Sequence, residues 1–326
     1  MARERTDGVG TSDTPQRLPA SLARGLAAIA ADREHGASWL ARRGATLLAE
    51  ASTPDSARVA TRRLAQLHIA ARRLVAARPS MAAVANTAAH IWLAAADARE
   101  AGASPIEVLA ALHAEAERLA TLWDDAARAI GDAAIPALAG RLYTLSRSGT
   151  VERVLARLAA ERAQAGQPAE IVVSTSYPGF EGRAAAAALA ATGWKVTLVA
   201  DAACGVFVSQ VAAVVCGADS VLADRRVVNK VGTYPLALAA RATGVPFYVL
   251  CETLKIAAPD FALALEQMPA EEILPSPIPG VTARNPYFDV TPAEGVTAIF
   301  TERGRLTPAQ LAEQATLAAR ALAALG

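Results

Sequence analysis

Ile171-Val172-Val173-Ser174, then Glu181-Gly182-Arg183 running into Ala184 to Ala191, then Gly193-Trp194-Lys195-Val196-Thr197-Leu198-Val199-Ala200-Asp201, is the stretch that decides the fold. A β-branched run of strand length is followed by an Ala-rich run of helix length. Next come a glycine where a helix C-cap belongs and a second β-branched run. That is one β-α-β unit. The same texture continues on both sides: Leu142 to Leu145, Ala212 to Cys216 and Pro246 to Leu250 read as further strands, and Gly166 and Gly244 stand at the matching helix ends. Such alternation predicts an α/β protein with a Rossmann-like, doubly wound parallel sheet over residues 138–326.

Upstream the pattern changes. From Ser21 to about Ala137 the chain is rich in Ala, Leu and Arg, with apolar residues at three- and four-residue spacing, as in Leu64, Leu67 and Leu74. This predicts a helical domain over 21–137. Ser52-Thr53-Pro54-Asp55 reads as capping one helix, and Arg78-Pro79-Ser80 and Gly102-Ala103-Ser104-Pro105 as starting two others. Residues 1–20 are polar, with no apolar h-region, and read as a disordered leader and not as a signal peptide.

The 326 residues are 53% hydrophobic and carry a formal net charge of +1, so a large core is available and no global field attracts nucleic acid or a membrane surface. The apolar runs are too short to span a bilayer. The three cysteines, Cys204, Cys216 and Cys251, lack CxxC spacing and read as reduced thiols of a cytoplasmic protein. His35, His68, His90 and His113 show no metal spacing, and Trp39, Trp92 and Trp123 read as core. No Walker loop, GxGxxG or GxSxG is present, so neither a dinucleotide nor a metal cofactor is expected.

In a doubly wound sheet, ligands bind beyond the carboxyl ends of the strands, and there the residues are polar. Ser146-Arg147-Ser148-Gly149-Thr150 opens a helix whose free amides favour a phosphate. Arg183 lies in the first turn of the next helix, where a cation calls for an anion. Asp201, Asp219 and Glu252 follow three different strands and are expected to converge. Asp219 adjoins an apolar run, which predicts a raised pKa and acid-base work near neutral pH. Asn229 and Lys230, in the loop before Gly232 and the next helix, offer an amide and an ammonium to a hydroxyl and a phosphate.

Gly217-Ala218-Asp219-Ser220-Val221-Leu222-Ala223-Asp224 with Val227-Val228-Asn229-Lys230-Val231-Gly232-Thr233-Tyr234 resembles a known superfamily. Its members are the alpha, beta and delta subunits of eukaryotic translation initiation factor two-B, ribose-bisphosphate isomerase and methylthioribose-phosphate isomerase. Glu181-Gly182-Arg183, Asp201-Ala202-Ala203, Glu252-Thr253-Leu254-Lys255, Asn285 to Pro292 and Arg78-Pro79-Ser80-Met81 agree with it too. The resemblance implies a homodimer or larger assembly and a pocket for a sugar phosphate or nucleotide. It also implies a catalytic aspartate and cysteine. The aspartate falls at Asp219, whereas Ser146 stands where the thiol belongs and Tyr177 where an arginine is common.

The site expected on these grounds has Asp219 and Ser146 at the chemistry. Ser148, Gly149, Thr150, Arg183, Asp201, Asn229, Lys230 and Glu252 hold the ligand. An active protein of this kind would interconvert an aldose 1-phosphate and a ketose 1-phosphate. The alternative is a catalytically silent regulatory or assembly subunit, because an unassisted serine is no substitute for a thiolate.

Overall fold

The computed structural model describes residues 17–53 and 57–326. The leader expected over 1–20 therefore falls largely outside the described residues, and where the description begins a helix starts at Ala20. Among the described residues the first half holds five helices: α1 Ala20–Ala31, α2 Ala37–Ala51, α3 Ala57–Ala77, α4 Ala82–Glu100 and α5 Pro105–Ala134. The α5 start follows from its sequence. Ser104 accepts from the Glu107 amide while the Glu107 carboxylate accepts from the Ser104 amide, and Pro105 fills a position whose N–H has no intrahelical partner.

The other two punctuation marks work differently. Ser52 closes α2, donating its hydroxyl to the Ala49 carbonyl at 2.7 Å, and residues 54–56 lie outside the described residues. Arg78-Pro79-Ser80 forms a turn before α4, and the Ser80 hydroxyl donates to the Ala264 carbonyl instead of capping a helix.

The second half runs β1 Leu142–Leu145, α6 Gly149–Gln164, β2 Glu170–Ser174, α7 Glu181–Ala191, β3 Lys195–Val199, the short α8 Cys204–Phe207, and β4 Ala213–Cys216. It continues through β5 Ser220–Val221, β6 Val227–Lys230, α9 Thr233–Ala242, β7 Phe247–Leu250, β8 Phe288–Thr291, β9 Ala298–Thr301, β10 Gly304–Arg305 and α10 Pro308–Ala323. The main sheet has the order β10-β9-β7-β4-β1-β2-β3 and is parallel except for the β10 edge. Its strands β1 and β4 are buried throughout, as expected when helices cover both faces. Chain direction across the sheet reverses between β1 and β4, the switch point at which such sheets open a crevice.

A second, antiparallel sheet of order β5-β6-β8 was not expected from the sequence. It places Asn229 and Lys230 at the end of a strand, paired with Asp289 and Phe288, and not in a loop. Two- and four-residue strands carry too little periodicity to separate them from turns.

The two halves share a core. Val228 and Phe288 of the small sheet and Leu222 just past β5 pack with the apolar faces of α2 to α5, and Trp92 donates to the Ala324 carbonyl just beyond α10 at 3.0 Å. Polar pins cross the same boundary. Asn86 on α4 donates to the Leu254 and Ile256 carbonyls at 2.8 and 2.7 Å. Arg78, 1% exposed, grips both carboxylate oxygens of Glu266, at 3.1 and 2.9 Å, and donates to the Asp32 carbonyl at 2.7 Å.

Removing one partner of such a pair strands a buried charge. Arg78→Ala is expected to cost about 3–5 kcal/mol in urea unfolding monitored by circular dichroism, far more than a surface arginine truncation.

Candidate functional site

At the switch point the chain after β1 turns sharply. Ser146 adopts a left-handed backbone, φ +57°, and donates its N–H at 2.8 Å to the hydroxyl of Ser176, which follows β2 with φ +59°. Left-handed backbone at two non-glycine residues is strain, held here by neighbouring parallel strands. The turn brings Ser148 into the N-cap of α6, where its hydroxyl accepts from Val151. Gly217, after β4, passes so close that a Cβ there would lie 2.7 Å from the Ser148 oxygen.

Between these elements lies a cavity of about 350 Å³. Eight of the ten residues expected from sequence line it: Ser146, Ser148, Gly149, Thr150, Asp219, Asn229, Lys230 and Glu252. Arg183 and Asp201 do not. Arg183 is exposed on α7 with its guanidinium over the Phe180 ring at 3.8 Å. Two residues earlier, Glu181 lines the cavity in its place. Asp201 ties down the loop after β2, accepting from the Thr175 hydroxyl and from the Ser176 and Tyr177 amides at 2.8 Å each.

Asp219 is buried, and burial pushes its carboxyl above the usual carboxylate range. The ammonium groups of Lys255 and Lys230 and the Ala37 amide at the start of α2 oppose that rise. Lys230, buried as well, is pushed below the usual lysine range by burial, against the pull of Glu181. Its Nζ donates to Glu181 and lies over the Tyr287 ring, 3.2 Å from the centroid.

Glu252 is fully buried, with every contact taken from inside: Thr150 donates to one oxygen, Ser38 at 3.1 Å and Lys255 at 3.2 Å to the other. Burial alone would raise its pKa, but Lys255 and these donors leave it lowered. Glu252 therefore positions its neighbours more than it faces the cavity. Asn229 donates to the Thr233 hydroxyl at 2.9 Å, fixing its amide at the start of α9.

Several lining residues were not singled out as site residues from sequence. Lys255 was part of a matching phrase only. His35, Ser38, Trp39, Arg42 and Trp123 come from the helical half, where no local motif marks them. Trp39, read as core, is 45% exposed and stacks on His35, with ring centroids 3.7 Å apart. The thiols lie elsewhere: among the described residues no cysteine lines the cavity, and burial raises the pKa of Cys216 and Cys251. Among the same residues no cluster of three or more His, Cys, Asp or Glu has metal-binding geometry, and no helix is long and apolar enough to cross a membrane.

Residues 33–308 match the model of the Initiation factor 2 subunit family. The chain belongs to that family. It is 34% identical over 280 residues to methylthioribose-1-phosphate isomerase of Anaeromyxobacter sp., covering 78% of each chain. It is 37% identical over 148 residues to ribose 1,5-bisphosphate isomerase of Archaeoglobus fulgidus, an alignment that spans 44% of this chain and 47% of that relative. Among solved structures, translation initiation factor eIF-2B of Pyrococcus horikoshii superposes with a TM-score of 0.74 at 26% identity, over 89% of this chain and 98% of that one. This family member is thus homologous both to sugar-phosphate isomerases and to initiation-factor subunits.

Asp289 supports the site from behind. One oxygen accepts from the Gly232 and Tyr234 amides at 2.8 and 3.0 Å, closing the start of α9 beside Lys230. Burial raises its pKa to about 6 despite these amides. A raised carboxyl binds its proton more tightly in the folded state, so its contribution is fully present below the unfolded pKa and is lost as pH rises through about 6. Urea unfolding of the native protein and of Asp289→Asn is therefore expected to diverge between pH 4 and pH 7. The native protein should lose about 2–3 kcal/mol relative to the variant as pH rises.

Proposed function

We propose that this chain binds a phosphorylated pentose in the cavity at the β1/β4 switch point. The observation that carries the reading is a convergence on one cavity. The first turns of α2 and α6 and the ammonium groups of Lys230 and Lys255 surround the buried Asp219 carboxyl. Helix N-termini and buried ammonium groups suit a phosphate, and a carboxyl with a raised pKa suits exchange of protons with sugar oxygens. Kinship with isomerases named for ribose phosphates agrees with that ligand class.

The finer reading is aldose-to-ketose isomerisation of a pentose 1-phosphate. Asp219 handles protons at the sugar oxygens, and Lys230 with the first turn of α6 holds the phosphate. One observation favours a second reading, binding without turnover in a regulatory or assembly subunit. The residue held in the strained turn beside α6 is Ser146, and no cysteine among the described residues reaches the cavity. A homodimer or larger assembly remains the expectation under either reading.

Ribose 1,5-bisphosphate or methylthioribose 1-phosphate is expected to raise the melting temperature, and Lys230→Ala to weaken that binding by about 10-fold or more. No shift with either ligand, or an unchanged shift in the variant, defeats the binding site. Turnover is read separately by NMR. Ketose formation that Asp219→Asn abolishes selects the isomerase, and binding without ketose selects the silent subunit.

A further inference from the structure

Asp219 supplies an acid at the sugar oxygens, but moving a hydrogen between C1 and C2 of a sugar also takes a base at carbon. Ser146 has no thiolate to offer. Most carboxylates that line the cavity are already engaged: Glu181 is held to Lys230, Glu252 to Lys255 and Glu152 to Arg147. Glu34 is exposed. Among the described residues one histidine lines the same space, His35 in the turn before α2.

His35 is built in as one half of a dyad. Its Nδ1 lies 2.9 Å from a carboxylate oxygen of Asp32, and the other Asp32 oxygen accepts the Glu34 and His35 amides at 2.9 Å each. Burial works to raise the Asp32 pKa, but the His35 amide, the imidazole and the Glu34 amide leave it lowered. An ionised Asp32 holds the ring hydrogen on Nδ1 and leaves the lone pair on Nε2, which has no partner among the described residues. Trp39 fixes the ring plane, stacking on it with centroids 3.7 Å apart and planes 14° apart. A carboxylate that sets tautomer and orientation is what a histidine base needs.

The dyad also stands close to the acid. Two residues beyond His35, the Ala37 amide donates to the Asp219 carboxyl, and the Ser38 hydroxyl donates to Glu252 at 3.1 Å. Two residues of chain span at most about 7 Å, so the backbone of the dyad is anchored within the dimensions of a pentose from Asp219.

We infer that His35, held by Asp32, is the general base of an aldose-to-ketose isomerisation in this cavity. This rests on the isomerase reading above and gives it the residue that handles the carbon-bound proton. Asp219 gives its proton to the ring oxygen of the aldose 1-phosphate as the bond from that oxygen to C1 breaks. His35 Nε2 takes the proton from C2, and the C2–H electron pair becomes the C1–C2 double bond of an enol phosphate. The proton then passes from Nε2 to C1 while the C2 hydroxyl returns a proton to Asp219, leaving a ketone at C2. Both residues end in the states in which they began.

His35→Gln tests the inference, because glutamine keeps an N–H for Asp32 and removes the base. Ketose formation is followed by NMR with methylthioribose 1-phosphate and ribose 1,5-bisphosphate. On the substrate that the native protein converts, kcat is expected to fall about 100-fold or more in the variant, with KM and melting temperature close to native. A kcat within about threefold of native, or a rise in KM with kcat unchanged, overturns the base and leaves the isomerase reading standing. Ketose from neither substrate with the native protein overturns the isomerase reading and the base together.

Discussion

A carboxylate buried at the end of a strand has to be paired, and around Asp219 that requirement organises the cavity. Removing charge from water costs several kcal/mol per ion unless opposite charges and hydrogen bonds offset it. Asp219 meets this through Lys255, Lys230 and the first amide of α2. Lys255 is held in turn by Glu252, and Lys230 by Glu181. Five ionisable groups from four places in the chain therefore depend on one another. Each of these positions is held rigid because the fold requires the pairing.

The same network explains why the helical half cannot be a mere attachment. The Ala37 amide and the Ser38 hydroxyl enter the ionic cluster from α2, while Asn86 and Arg78 lock the chain beyond β7 onto α4 and the turn before it. Without those contacts Asp219 and Glu252 would lose donors inside a low-dielectric interior, where an unpaired group is most costly. The switch point of the main sheet supplies the crevice, and the helical half gives it a wall. The two functional readings share this architecture and differ at Ser146, whose backbone is strained like that of a working residue while its side chain lacks a thiolate's basicity.

Much of the fold was legible before the structure, because β1 to β4 and β7 differ in period and composition from the helices between them. The site was legible where a strand end and a helix start carried chemistry, as at Ser148 to Thr150, Asp219 and Lys230. It was not legible where the answer depended on helix phase. Glu181 and Arg183 stand two residues apart, roughly 200° around α7, so only one of them can face the cavity. Nor was it legible where the answer depended on strand order. Asp201 follows β3, which the sheet places at its far edge, two strands removed from β1, and its carboxylate serves the loop after β2 instead.

The sequence alone determined the two textures of the chain and marked Asp219, Lys230 and the turn from Ser146 to Thr150 as polar groups at strand ends and helix starts, since propensity and short-range spacing are local properties. Only the tertiary structure decided which of these groups meet, and that His35, Ser38 and Trp39 join them from the helical half. That choice is made by packing between elements far apart in the chain and by the pairing that buried charges demand, and neither leaves a local pattern to read.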